Sequence, residues 1–115
     1  MEGQLMKRIP IPPYGCILHV TDNFKEWARA YERLSPYVAE SGSSGLTYDN
    51  QDGNYYVGIF KHDLNTTVHE LAHVCLMIAG RVQLGDIVKE QEQFCYLIGW
   101  LTQQVLKAYP QFKGE

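Results

Sequence analysis

The chain has no run of basic residues, no apolar stretch of membrane-spanning length and no CxxC pair. Without clustered Lys and Arg, and with a formal charge of −3, it offers no evident footprint for a phosphate backbone, so nucleic acid is not expected as a direct partner. Spanning a bilayer takes about 20 consecutive apolar residues, and no segment approaches that. The opening MEGQLMKRIPIPPYG also lacks the apolar core of a secretion signal. These absences lead to the expectation of a cytoplasmic protein without a membrane partner. Three cysteines, Cys16, Cys75 and Cys95, are an odd number, which argues against a disulfide framework and a cysteine-built zinc site. Their apolar neighbours predict reduced thiols that act as small buried hydrophobes. There is no internal repeat and no low-complexity segment.

What is present is enough apolar material for one core: 115 residues at 45% hydrophobic content predict a single domain over 1–115. After the proline-punctuated start (Pro10, Pro12, Pro13), residues 14–20 read as a strand. Thr21, Asp22 and Asn23 offer caps for a helix over 24–34, where Phe24, Trp27, Ala28, Tyr31 and Leu34 recur at helical spacing. Ser35 and Pro36 end it, and SGSSG at 41–45 reads as a surface loop. Two short strands, 46–49 and 54–60, flank the turn residues Asn50 to Gly53 and predict a hairpin. A helix over 66–80 follows, with Asn65 or Thr66 as cap and Gly80 as stop. A last helix is expected from 85 or 86 to 108, before Pro110. The expected class is α+β: a three-stranded sheet packed against an N-terminal helix and two C-terminal helices.

The chemistry is concentrated in TTVHELAHV. On a helix, each residue advances about 100°, so His69 and His73 lie roughly 40° apart and can reach one ion. Glu70 sits at the edge of that face, placed to take a proton from a metal-activated water without becoming a ligand. Val68, Leu71, Ala72, Cys75, Ile78 and Ala79 cluster on the opposite side as the core face. A catalytic zinc normally takes three protein ligands, and the last helix supplies the candidates. Glu92 shares a face with Tyr96, Gly99 and Gln103, opposite the apolar stripe of Phe94, Ile98, Leu101 and Val105. Gly99 would let this helix approach the HExxH helix and bring Glu92 over the metal. Glu92 is the favoured third ligand and Glu90 the alternative, with the isolated His19 and His62 behind both. Tyr96 is a candidate to stabilise the oxyanion or to brace Glu92, beside a plain packing role.

These residues carry a resemblance. VHELAHV followed by EQFCYLIGWL is similar to the minimal gluzincin-type metallopeptidases, in which a glutamate ligand follows HExxH on a later helix. It looks like small bacterial and phage-encoded peptidases and resembles the ImmA/IrrE-like proteases. Gln93 and Phe94 depart from the latter pattern, and no helix-turn-helix segment accompanies the motif. The resemblance implies a zincin-like fold, Zn2+ held by His69, His73 and Glu92, Glu70 as catalytic base and a protein or peptide substrate. It also implies that an extended peptide aligns along a sheet edge, for which strand 55–60 is the candidate. The expected function is zinc-dependent peptide hydrolysis. The alternative is a noncatalytic zinc-retaining module that binds a regulatory or host-defence protein.

Overall fold

Alternation of apolar and polar side chains builds the sheet, and the same alternation decides what lies on each of its faces. The computed structural model describes residues 6–82, 86 and 88–114. Strand β1 (Lys7–Ile11) leads through a 3-10 turn (Pro12–Tyr14) into β2 (Cys16–Thr21), followed by helix α1 (Phe24–Leu34). The hairpin of β3 (Gly45–Asp49) and β4 (Asn54–Ile59) comes next, then α2 (Leu64–Arg81), α3 (Gln91–Ala108) and a closing 3-10 turn (Pro110–Lys113). The class is α+β, with a mixed sheet ordered β1-β2-β4-β3. β2 runs parallel to β4, and β1 and β3 pair antiparallel at the two edges.

The sheet has four strands rather than the expected three, and α1 follows two strands instead of one. The additional strand is the proline-punctuated entry. Pro10, which cannot donate a backbone hydrogen bond, is tolerated because among the described residues β1 has a neighbour only on its β2 side, where Pro10 stands opposite Ile17.

One face of the sheet carries Cys16, Leu18 and Val20 from β2 and Tyr55, Val57 and Ile59 from β4. These pack against Leu71, Val74, Cys75 and Ile78 of α2 and Leu97, Leu101 and Val105 of α3. The other face takes α1: Trp27 Nε1 donates to the Tyr56 carbonyl (3.0 Å), Phe24 meets Phe60 edge-on (5.5 Å) and Tyr31 meets Tyr48 edge-on (5.0 Å). The result is three layers, with α1 alone on one side and the α2–α3 pair on the other. Among the described residues no helix is long and apolar enough to cross a membrane.

Caps and stops revise the expected boundaries. α1 starts where Asn23 Oδ1 accepts the Glu26 N–H (3.0 Å) and ends at Ser35. α2 begins earlier than expected because its cap is Asp63, whose Oδ1 accepts the Thr66 N–H (2.7 Å). Gly80 does not stop α2, which continues to Arg81. α3 begins at Gln91; ahead of it Asp86 Oδ1 accepts the Val88 N–H (2.9 Å), a local side-chain bond that competes with helix, and the expected start at 85 lies outside the described residues. Cys16 and Cys75 are buried as expected, but Cys95 is exposed, because α3 turns other apolar positions inward instead. Burial pushes the Cys75 thiol up to about 12, so it stays protonated.

On the α1 side of the sheet, His19 lies flat against Tyr56 (4.4 Å between ring centroids, 8° between planes) and its Nε2 donates to Asn54 Oδ1 (2.9 Å). Burial is the largest influence on this imidazole and lowers its pKa below the ordinary 6.5. The unfolded chain therefore takes up a proton near 6.5 that the folded chain resists, and His19 contributes stability that is present above 6.5 and lost as pH falls through that window. The urea midpoint should drop between about pH 7.5 and about pH 5.5, and drop less in His19→Gln. Equal drops in both proteins would remove His19 as the source.

Candidate metal centre

The geometry of the HExxH segment follows from helical spacing and from which face of α2 the sheet claims. Leu71, Val74, Cys75 and Ile78 are driven into the core, which leaves His69 and His73 outside it, one turn apart. Their ring centroids are 4.9 Å apart and their planes cross at 81°. Glu70, beside them and toward β3, is only 6% exposed. Of the positions expected on the core face, Val68 and Ala72 are half-buried, while Val74 occupies a fully buried place that spacing alone had not assigned.

A buried carboxylate needs a partner. Thr47, on β3, donates its hydroxyl to Glu70 Oε1 at 2.6 Å. Next to it, Gly45 supplies the space: a Cβ there would stand 2.8 Å from Glu70 Cγ and 3.0 Å from Oε2. The carboxylate is thus seated against β3 by one hydrogen bond and one absent side chain. Together Leu46, Thr47, His69, Glu70, His73 and Met77 line an open cleft of about 340 Å³. Among the described residues β3 pairs only with β4, and its outer edge is free there along this cleft. The expectation that residues 55–60 form the edge is corrected here, since β4 lies between β2 and β3.

The cleft brings together His69, Glu70 and His73, and does not include Glu92, Glu90 or Tyr96. Glu92 is exposed in the first turn of α3, and Glu90 is half-buried at its cap position. Tyr96 is 74% exposed and lines a separate apolar groove with Pro12, Pro13, Tyr14 and Trp100. The reason lies in which face of α3 is buried. Leu97, Leu101 and Val105 turn inward, which points Glu92, Tyr96 and Gln103 to solvent. Gly99, expected to allow a close helix approach, faces open space, with nothing within 4 Å of a Cβ placed there. His62 is exposed beside Phe112, and His19 is on the opposite face of the sheet.

The donor chemistry suits a divalent metal: two imidazoles one helical turn apart can hold one ion. Among the described residues, no group of three or more His, Cys, Asp or Glu side chains is placed to hold a metal, so the pair lacks a third protein ligand there. Sequence reasoning missed Thr47 and Gly45. Both stand on the α2-facing side of β3, and strand alternation would have marked them had the pairing order of the strands been known. No protein-family model, curated protein or solved structure matches the chain.

Proposed function

We propose that the protein is a zinc-dependent peptidase of the zincin type. The observation that supports this reading most is the union, in one cleft beneath a free strand edge, of the His69–His73 pair and the seated carboxylate of Glu70. His69 and His73 would hold the metal through their ring nitrogens; Glu92 stays the proposed third ligand on the sequence resemblance, since it is exposed on α3 outside the cleft. Zinc bound there would supply Lewis acidity and make water a nucleophile near neutral pH.

The chain's own residues do the rest. Glu70 accepts the proton from the attacking water and returns it to the leaving nitrogen. Thr47 holds one oxygen of that carboxylate, so the other, Oε2, remains for the proton. The edge of β3, without a second strand partner among the described residues, offers backbone donors and acceptors to which an extended peptide can add as a further strand. Such binding places main-chain carbonyls over the cleft with little demand on side-chain identity, which makes peptide the fitting substrate class.

Zinc content and affinity of the purified chain test this reading, with wild type set against His73→Ala, Glu92→Gln and Glu90→Gln. Near-stoichiometric zinc is expected in wild type, lost in His73→Ala and weakened by about 10–100-fold or more in Glu92→Gln but not in Glu90→Gln. Wild type that takes up no zinc, cobalt or nickel would sink the peptidase reading.

A further inference from the structure

On the face of the sheet away from the His69–His73 cleft, pairing sets four side chains in a row across all four strands. Arg8 of β1 stands opposite His19 of β2, His19 opposite Tyr56 of β4, and Tyr56 opposite Tyr48 of β3. α1 packs over the β4 and β3 end of this row through Trp27 and Tyr31. The β1 and β2 end is left as an open cavity of about 280 Å³. From α1, Arg29 and Arg33 join Arg8 on its wall, and Glu26 lies beside them.

Three of the chain's ten Lys and Arg side chains thus converge on one small cavity of an otherwise acidic protein. Arg29 and Arg33 are four apart on one helix, a like-charge spacing that is mildly destabilising, and Arg8 faces the same space from the sheet. Among the described residues, none of the three makes an ion pair. Glu26 offsets one of these charges without forming an ion pair with any of the three among the described residues: its Oε1 accepts the Thr21 hydroxyl. Burial and then the charge of Asp52 raise the pKa of the Tyr56 phenol, and the charges of Arg33 and Arg8 pull it back, in keeping with both guanidinium groups acting on the floor of the cavity. His19 adds no charge near neutral pH, since burial favours its neutral form. Three guanidinium groups and one carboxylate line the cavity and leave two positive charges on its wall, with Asp52 acting from outside it, a match for a phosphate monoester, which carries close to two negative charges above its second pKa near 6. Forked guanidinium donors also fit the oxygens of a phosphate better than a single ammonium would.

We propose that the Arg8–Arg29–Arg33 cavity is an anion site that takes a phosphate monoester group, carried either by a small molecule or by a phosphorylated side chain. The site is independent of the metal cleft and stands whether or not the peptidase reading does.

Titration of the full chain with inorganic phosphate and with O-phosphoserine, followed by backbone amide shifts, tests it. Acetate and dimethyl phosphate, both monoanions, are titrated at matched ionic strength. Saturable shifts at Arg8, His19 and Tyr56 are expected for the two dianions, with affinity roughly tenfold or more lower in Arg29→Gln and in Arg8→Gln. Lys25→Gln, which removes a charge from α1 outside the cavity, should change little. Tighter binding of O-phosphoserine than of phosphate would assign the site to a phosphorylated side chain, and equal binding to the phosphate group alone. The proposal fails if wild type shows no saturable shift there, if the monoanions bind as well as the dianions, or if Lys25→Gln weakens binding as much as Arg29→Gln.

Discussion

Glu70→Gln should leave the protein folded and able to bind zinc while lowering peptide hydrolysis by about 10²–10⁴-fold, the usual worth of a positioned general base. The substitution is nearly isosteric, so the amide side chain keeps the shape that Gly45 accommodates, and its carbonyl still accepts the Thr47 hydroxyl. Only the capacity to take and return a proton is lost. The measurement is turnover of a mixed peptide library by zinc-loaded wild type and Glu70→Gln, with zinc stoichiometry and unfolding midpoint recorded for each. Hydrolysis that survives in the variant would remove Glu70 as the base. No hydrolysis by either protein, together with stoichiometric zinc and unchanged affinity for a captured partner in Glu70→Gln, would instead identify a noncatalytic binding module.

Phe112→Ala should destabilise the fold by about 3–5 kcal/mol, the range typical of truncating a buried phenylalanine. Phe112 is fully buried although it lies in a short turn past the last helix. Its ring stacks on Tyr109 (4.7 Å between centroids), and its carbonyl accepts the Thr67 hydroxyl (3.0 Å) in the first turns of α2. Tyr109 in turn donates to the Val20 carbonyl on β2 (3.0 Å). Thus the closing turn ties α3, α2 and the sheet together, and truncation would open a cavity where three elements meet. Urea unfolding of the two proteins gives the difference directly, and a midpoint shift equivalent to less than about 1 kcal/mol would show that the segment is not part of the cooperative core.

The residues that could be read in sequence are those whose meaning is local. Helical spacing from Phe24 to Leu34 identified α1, since an amphipathic stripe between three candidate caps and a Ser-Pro stop needs no knowledge of its partners. The β3–β4 hairpin was legible for the same reason, as turn residues between two short apolar runs. The facing of His69 and His73 followed from a four-residue spacing on one helix. β1 was not legible, because a segment with Pro10 reads as a breaker until its place at a sheet edge is known. Nor was the cap of α2, where Asp63 prevailed over Asn65 and Thr66, because Thr66 and Thr67 are drawn into the interior.

By itself, then, the sequence determined the α+β class, the hairpin and the identity and shared helix of His69, Glu70 and His73, all consequences of spacing within one segment. Tertiary structure alone decided that Thr47 and Gly45 seat the Glu70 carboxylate, that β3 rather than β4 is the free edge, and that α3 turns Glu92 and Tyr96 to solvent. It also gathered Arg8, Arg29 and Arg33, scattered along a chain without a basic run, into one cavity. The physical reason is the same in each case: spacing fixes which side chains share a face of an element, but only strand order and helix packing fix what that face meets.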